Sequence, residues 1–467
     1  MIPVRTKSPE TRTSDLKRAS SQITANGVHT THQGLGCDFF LVQMRLFDSN
    51  MRRLGLPLSV IAFVAVDLIE GFTTVPRLVI PTRASLRHQP VTSSTSLHVA
   101  SSTTNKKQPG TADLGGVAWE DLGFAFRPTN SHIKIMYTEN EEDPDGGGAW
   151  GTPELVRGDP YVNVHIGATA LHYGQACFEG LKAFCHSDGS VHVFRPTENA
   201  ARMQSSCRRT LMPELPTDVF VQAVEEVIRD NIEYVPPYGS NGALYIRPLL
   251  FGSGPRIGLQ PAGEYTFLIL VIPVGDYYAG GLSKPVDGLL IEDFDRAAPR
   301  GVGAVKVAGN YAADLLPNQE SKKKGFSIGL YLDAATQSTI EEFNTSNFVG
   351  INLEKNSYVT PKSSSVLPSI TNKSLMELAS SEGLNVETRD VPLDELNDFD
   401  EVLAVGTAVV VTPVGSITQL KDEDIQRFEF GTPGKIGDVT QRLYDRVRSI
   451  QSGESDDIFG WNHEVEY

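Results

Sequence analysis

YTFLILVIPVGDYYAGG (265–281) is the stretch that divides this chain. Its first half is a strongly apolar run of β-forming residues, and its second half passes through Pro273 to the paired glycines Gly280 and Gly281. An apolar strand that runs out into Pro and paired Gly marks the end of one folded body and a linker to the next. On its N-terminal side, the short β-rich runs YVNVHIG (161–167), VHVFR (191–195) and GALYIRPLLF (242–251) alternate with helical stretches. The clearest helix is 217–233, where Val221, Val224, Ile228 and Ile232 recur at steps of three, four and four, with Thr217 as its expected N-cap. On the C-terminal side, strands are expected near 287–291, 302–308, 326–333, 346–353 and 402–405, with helices at about 310–324, 371–382 and 436–450. The alternation predicts an α/β (α+β) architecture of two domains, 113–274 and 285–467, joined by a linker at 275–284.

Composition narrows the function classes. A chain of 467 residues is long enough for two or three domains. Its 41 Lys+Arg against 57 Asp+Glu leave a net charge of −16. Nucleic-acid binding is therefore not expected, since phosphate backbones recruit basic surface. Four cysteines without a paired C-x-x-C spacing indicate neither a disulfide framework nor a zinc site, and no metal is expected.

The charge is unevenly spread. Residues 1–110 carry 13 basic and 6 acidic side chains, so the remainder is more acidic than the whole. Residues 54–66 (LGLPLSVIAFVAV) form an uncharged run behind Arg52 and Arg53. The run is too short to span a bilayer, which takes about 20 apolar residues, but it fits the apolar region of a signal peptide. Residues 72–110 then hold five basic residues, no acids and 13 Ser+Thr, the composition of a transit peptide. Together they resemble the bipartite leader of proteins imported into multi-membrane plastids. The expected start is Met51 or Met44. A disordered extension of a cytoplasmic protein and a mitochondrial leader are the alternatives. On any of these readings, residues 1–112 lie outside the folded body, and the mature form has no membrane segment.

Four stretches of the body could carry chemistry. In GVGAVKVAGNYAADLL (301–316), Lys306 sits among small apolar residues. A lysine held there loses basicity and becomes a usable amine nucleophile, although composition alone favours a solvated strand lysine. Tyr311 is placed to offer a hydroxyl nearby; taken alone it reads as a packing tyrosine. In TIEEFNTSNFVGI (339–351), pleating sends Glu341 and Glu342 to opposite faces. One of them buried and paired with a cation, or both solvated at a turn, are the open readings. In LPSITNKSLMEL (367–378), Ser369 is an expected N-cap, leaving the Ile370 and Thr371 amides for an anion. GTAVVVTPVG (406–415) starts with a small-residue turn that brings backbone amides within reach of another anion.

LHYGQACFEGLKAF (171–184), FRPTENAARM (194–203), LYIRP (244–248), KVAGNYAA (306–313), EEFNTSN (341–347) and GTAVVVTPVG (406–415) resemble, in this order and spacing, the branched-chain aminotransferases. These are pyridoxal-phosphate enzymes of fold type IV, and the resemblance runs from about residue 118 to the C-terminus. It implies transamination of leucine, isoleucine and valine with 2-oxoglutarate, in a ping-pong sequence through the corresponding 2-oxo acids and glutamate. It implies that Lys306 is the catalytic lysine that bonds pyridoxal 5'-phosphate, with Tyr311 at the cofactor's phenolic oxygen and Glu342 at its ring nitrogen. Arg202, Ile370, Thr371 and Thr407 then form the phosphate site. Tyr173, Phe178, Tyr245, Arg247 and Tyr277 line the substrate pocket, with Thr407 and Ala408 at the substrate α-carboxylate. It further implies a homodimer in which a loop near Leu259 closes the partner's site. The chain departs from the pattern at Asn344 and Ser346, where relatives often carry Gly and Met. It also has Val-Val-Val-Thr at 409–412, so the cysteine pair of mammalian members is absent. Within the fold, D-amino-acid aminotransferases and aminodeoxychorismate lyases lack the L-Y-x-R-P arginine. A catalytically dead binding paralogue, the remaining alternative, would be colourless when purified.

Overall fold

The computed structural model describes residues 107–467 apart from 141–146, 276–281, 283 and 422–423. The expected leader through residue 106, most of the expected linker 275–284, and Tyr277, expected in the substrate pocket, therefore lie outside the described residues.

The first half contains β1 (Ser131–Glu139), β2 (Gly148–Trp150), β3 (Glu154–Arg157), α1 (Thr169–Tyr173), β4 (Ala176–Phe178), β5 (Leu181–Cys185) and β6 (Val191–Phe194). Helices α2 (Pro196–Arg209) and α3 (Thr217–Asp230) follow, then β7 (Ala243–Gly252) and β8 (Glu264–Val274). β7 and β8 pair antiparallel from Ala243↔Val274 to Gly252↔Tyr265 and form the middle of the sheet. Both are buried along nearly their whole length, which is why they read as near-continuous apolar runs. α3 buries Phe220, Ala223, Val224, Val227 and Ile228 on one stripe. It starts one residue from the expected cap: Pro216 is the N-cap, and Thr217 is already helical. Asn231 ends it, donating to Val227 O and Ser131 O while its Oδ1 accepts the Asn130 amide, so the helix end is tied to β1. YVNVHIG does not become a strand. Asp159 Oδ1 accepts the Tyr161 amide in a local turn, and Tyr161 and Ile166 are exposed.

The second half contains β9 (Val286–Ile291), α4 (Ala308–Ala313), α5 (Leu315–Lys323), β10 (Ile328–Leu332), β11 (Ile340–Phe343), β12 (Asn347–Asn352) and β13 (Ser357–Pro361). It continues with α6 (Ile370–Ser381), β14 (Asn385–Arg389), β15 (Glu401–Gly406), β16 (Val410–Lys421), β17 (Asp424–Glu429), α7 (Asp438–Gln451) and β18 (Asn462–Val465). Strands in the order β11-β10-β9-β16-β15-β12 close into a ring, because β11 also pairs with β12 through Glu342↔Asn347. Leu290, Leu330, Phe343, Phe348, Val402 and Ile417, one from each strand of the ring, share a core cluster. The segment 302–308 is not the strand its β-branched residues predict. A Cβ on Gly303 would sit 2.0 Å from Ser365 O, so the chain passes too close to the 363–366 loop to run in a ladder there. The last strand leaves this half: β18 pairs antiparallel with β6 and so belongs to the first sheet. Among the described residues no helix is long and apolar enough to cross a membrane.

Candidate active site

Lys306 is held by its backbone before its side chain is considered. Its N–H donates to Ser206 Oγ on α2 at 3.0 Å, and its carbonyl accepts the Phe178 amide of β4 at 3.1 Å. The amine is thereby aimed at Tyr311, donating to its hydroxyl at 2.9 Å, and lies 4.8 Å from the Phe178 ring centroid. Burial, and after it the nearby Arg202 guanidinium, push the Lys306 ammonium down to about 8. Burial pushes the Tyr311 phenol up to about 12, so it remains a neutral hydroxyl at physiological pH. The pair sits on a loop and the short helix α4 rather than on a strand, and Lys306 is not the solvated side chain that composition favours.

Glu342 and Glu341 are both buried, against the reading of a solvated pair, and the pleat does send them apart. Glu341 Oε1 accepts the Ser363 hydroxyl at 2.7 Å. Glu342 Oε1 lies 2.6 Å from Arg296 Nη1 and accepts the Leu367 amide at 3.1 Å, and its Oε2 accepts Asn347 Nδ2 at 3.0 Å. Burial pushes this carboxyl up to about 7, while the Arg296 cation pulls the other way. Arg296 was not singled out from sequence. It shares the turn-rich segment 292–300 with Arg300, and nothing local links it to a glutamate 46 residues later.

Arg202 on α2 forms a fork with Glu179: Nε to Oε1 at 2.8 Å and Nη2 to Oε2 at 2.7 Å. Its Nη1 donates to Pro368 O, at the threshold of α6. Ser369 caps α6 as expected, its Oγ accepting the Asn372 amide. The Ile370 and Thr371 amides fall in the first turn, outside the helix's own ladder. Ile370, Thr371 and Thr407 line one small cavity with Gly180 and Asn199. Glu179 is likewise unmarked by the sequence, although it sits in the F-E-G motif at 178–180. A carboxylate beside a phenylalanine shows no sign of being buried until α2 is laid against it.

The substrate-side residues divide. Arg247 Nη2 donates to the Tyr245 hydroxyl at 2.9 Å, and its guanidinium carbon lies 4.8 Å from the Phe178 ring centroid. Phe178, Tyr245 and Arg247 thus gather beside Lys306. Gly180 makes room for this group, since a Cβ there would stand 2.4 Å from Tyr245 Oη. Lys182 Nζ donates to Ala408 O at 2.9 Å and holds the turn after Thr407. At the end of that turn Val410 has φ 62°, a left-handed value uncommon for a β-branched residue. Tyr173 stands apart from the group: its ring is exposed, and its hydroxyl donates to Ile257 O.

The donor set fits pyridoxal phosphate. A half-buried amine of lowered basicity faces a neutral phenol, a carboxylate lies deep on one side, and an arginine with a helix start lies on another. Arg296 Nε is also buried without a hydrogen-bond partner among the described residues.

Known proteins resemble this chain over most of its described length. The model of the amino-transferase class IV family matches residues 176–417. The branched-chain-amino-acid aminotransferase of Haemophilus influenzae is 42% identical over 354 residues, covering 74% of this chain and 98% of that protein. The chloroplastic branched-chain-amino-acid aminotransferase 5 of Arabidopsis thaliana is 41% identical over 366 residues, covering 78% of this chain and 82% of that protein. A crystal structure of the Escherichia coli branched-chain amino acid aminotransferase superposes with a TM-score of 0.58 at 30% identity, covering 67% of this chain and 97% of that one.

Proposed function

We propose, for a chain that belongs to the amino-transferase class IV family, that it transfers the amino group between leucine, isoleucine or valine and 2-oxoglutarate in two alternating half-reactions. The observation that carries this reading is Arg247, a partly buried cation braced by Tyr245 against the Phe178 ring beside the Lys306 amine. Aromatic walls suit a branched aliphatic side chain, and a guanidinium among them suits the distal carboxylate of the second acid. Pyridoxal phosphate, when bound, supplies the electron sink for the bonds at the substrate α-carbon. Lys306 holds it through its amine and carries the proton. Glu342 keeps a cation at the ring nitrogen, Tyr311 offers its hydroxyl to the phenolic oxygen, and Arg202 with Ile370, Thr371 and Thr407 holds the phosphate. The Thr407 and Ala408 amides take the α-carboxylate of either substrate.

The test is single-turnover kinetics of each half-reaction in wild type and Arg247→Met. The wild type should use leucine, isoleucine, valine and glutamate. The variant, which keeps length and loses the cation, should weaken use of glutamate and 2-oxoglutarate by about 2–4 kcal/mol, the scale of truncating one partner of a buried charge pair. Leucine should suffer much less. Equal losses for both would assign Arg247 to the shared α-carboxylate and remove the dual-recognition role.

The reading includes a homodimer, supported by the exposed Leu171, Tyr173, Ile257 and Leu259, an apolar set that a second subunit would cover. An active monomer in light scattering at assay concentration would contradict it. It also includes a plastid location, supported by the acid-free stretch 72–110 and by the chloroplastic relative. A reporter fused behind residues 1–112 that stays outside plastids would end that part.

A further inference from the structure

Among the described residues, Glu179 is a carboxylate near Lys306 to which the reaction assigns no part, and it is fully buried. Its oxygens receive four donors. Arg202 Nε reaches Oε1 at 2.8 Å, while Arg202 Nη2 at 2.7 Å, Asn199 Nδ2 at 2.7 Å and the Gly180 amide at 3.2 Å all reach Oε2. Asn199 and Arg202 are three residues apart on α2 and so present one face to it. Its own amide donates to Pro248 O, which anchors it to β7. Arg202 is held just as fully. Of its five N–H groups, Nε and one on Nη2 go to Glu179 and one on Nη1 goes to Pro368 O. Two N–H groups remain, one on each Nη, and the contacts to Glu179 and Pro368 fix the plane in which they lie. Pro368 stands two residues before α6, so the clamp holds the guanidinium beside the start of that helix.

We propose that Glu179 is a positioning residue for the cofactor phosphate: by gripping the inner edge of Arg202 it fixes the two remaining N–H groups where the phosphate is bound. This rests on the reading that Arg202 belongs to the phosphate site. Two effects oppose each other here. A carboxylate near a phosphate repels it, but this one is already matched by the arginine it grips. Without the grip the fork has no fixed direction, and a charged hydrogen bond depends on direction. Orientation therefore wins, and removing Glu179 weakens phosphate binding although it removes a negative charge.

The experiment uses the full chain freed of cofactor and titrates it with pyridoxal phosphate and with pyridoxal, which has the same ring and aldehyde but no phosphate. The readout is the ratio of the two affinities, with inorganic phosphate as competitor. Arg202→Met and Glu179→Gln should each lower the ratio about tenfold or more, the scale of one charge-assisted hydrogen bond, and pyridoxal affinity should stay nearly unchanged. An unchanged ratio in Arg202→Met would remove Arg202 from the phosphate site, and the underlying reading with it. A lowered ratio in Arg202→Met with an unchanged or raised ratio in Glu179→Gln overturns the positioning role alone. So does an equal loss of both ligands in Glu179→Gln, which would mark a general packing role. Thermal melting checks that Glu179→Gln folds. If it does not, Glu179→Asp decides: it keeps the charge and draws the carboxylate one methylene back from Arg202, so a lowered ratio supports the proposal and an unchanged one overturns it.

Discussion

Replacing Lys306 with Ala is expected to leave a folded chain whose transamination rate is lower by about 10⁴-fold or more, since covalent attachment and proton transfer are lost together. Folding should survive, because the contacts that place this residue, to Ser206 and Phe178, are made by its backbone. Reduction of the loaded wild type with borohydride, followed by peptide mass mapping, should find the cofactor on Lys306. A label on Lys182 would overturn the assignment. The pH dependence follows from the lowered basicity. The reactive form is the neutral amine, so the rate of bonding to pyridoxal phosphate should rise with pH and level off above about 8. An ordinary lysine would keep gaining rate until near 10.4.

Glu342→Gln is expected to lower activity by about two to three orders of magnitude, the scale of losing one preorganised electrostatic contact. The charge that stabilises a cation at the ring nitrogen is gone, while the phosphate site stays intact, so the cofactor should be retained. The same change leaves the Arg296 guanidinium buried without its carboxylate partner. A stability loss of about 3–5 kcal/mol should accompany it, which denaturant unfolding would measure. Glu341→Gln is the control. Glu341 meets Ser363 on the opposite face of the pleat, so its change should be mild for activity. If Glu341→Gln were crippling and Glu342→Gln mild, the facing of this strand toward the cofactor would be wrong.

The apolar pair β7 and β8, the helices near 217, 371 and 436, and the Ser369 cap were all readable from residue order. Each depends on side chains within about ten positions of one another, through periodicity, capping and turn chemistry. The motif series also placed Lys306 next to Tyr311, because five residues across the start of a helix leave little freedom. The pairings of Glu179 with Arg202 and Arg296 with Glu342 join residues 23 and 46 positions apart. No local preference encodes a partner at that distance; it appears only when α2 lies on β4 and when β11 closes the ring onto β12. Closure also buried both Glu341 and Glu342, where residue type alone favoured solvation. Gly303 shows the converse. The segment around it has the composition of a strand, but the close approach of Ser365 leaves no room for one, and Lys306 is carried into the site on a loop. The return of β18 to β6 could not be read from its four residues, since an edge strand that short has no pattern until the neighbouring strand offers its free hydrogen-bonding groups.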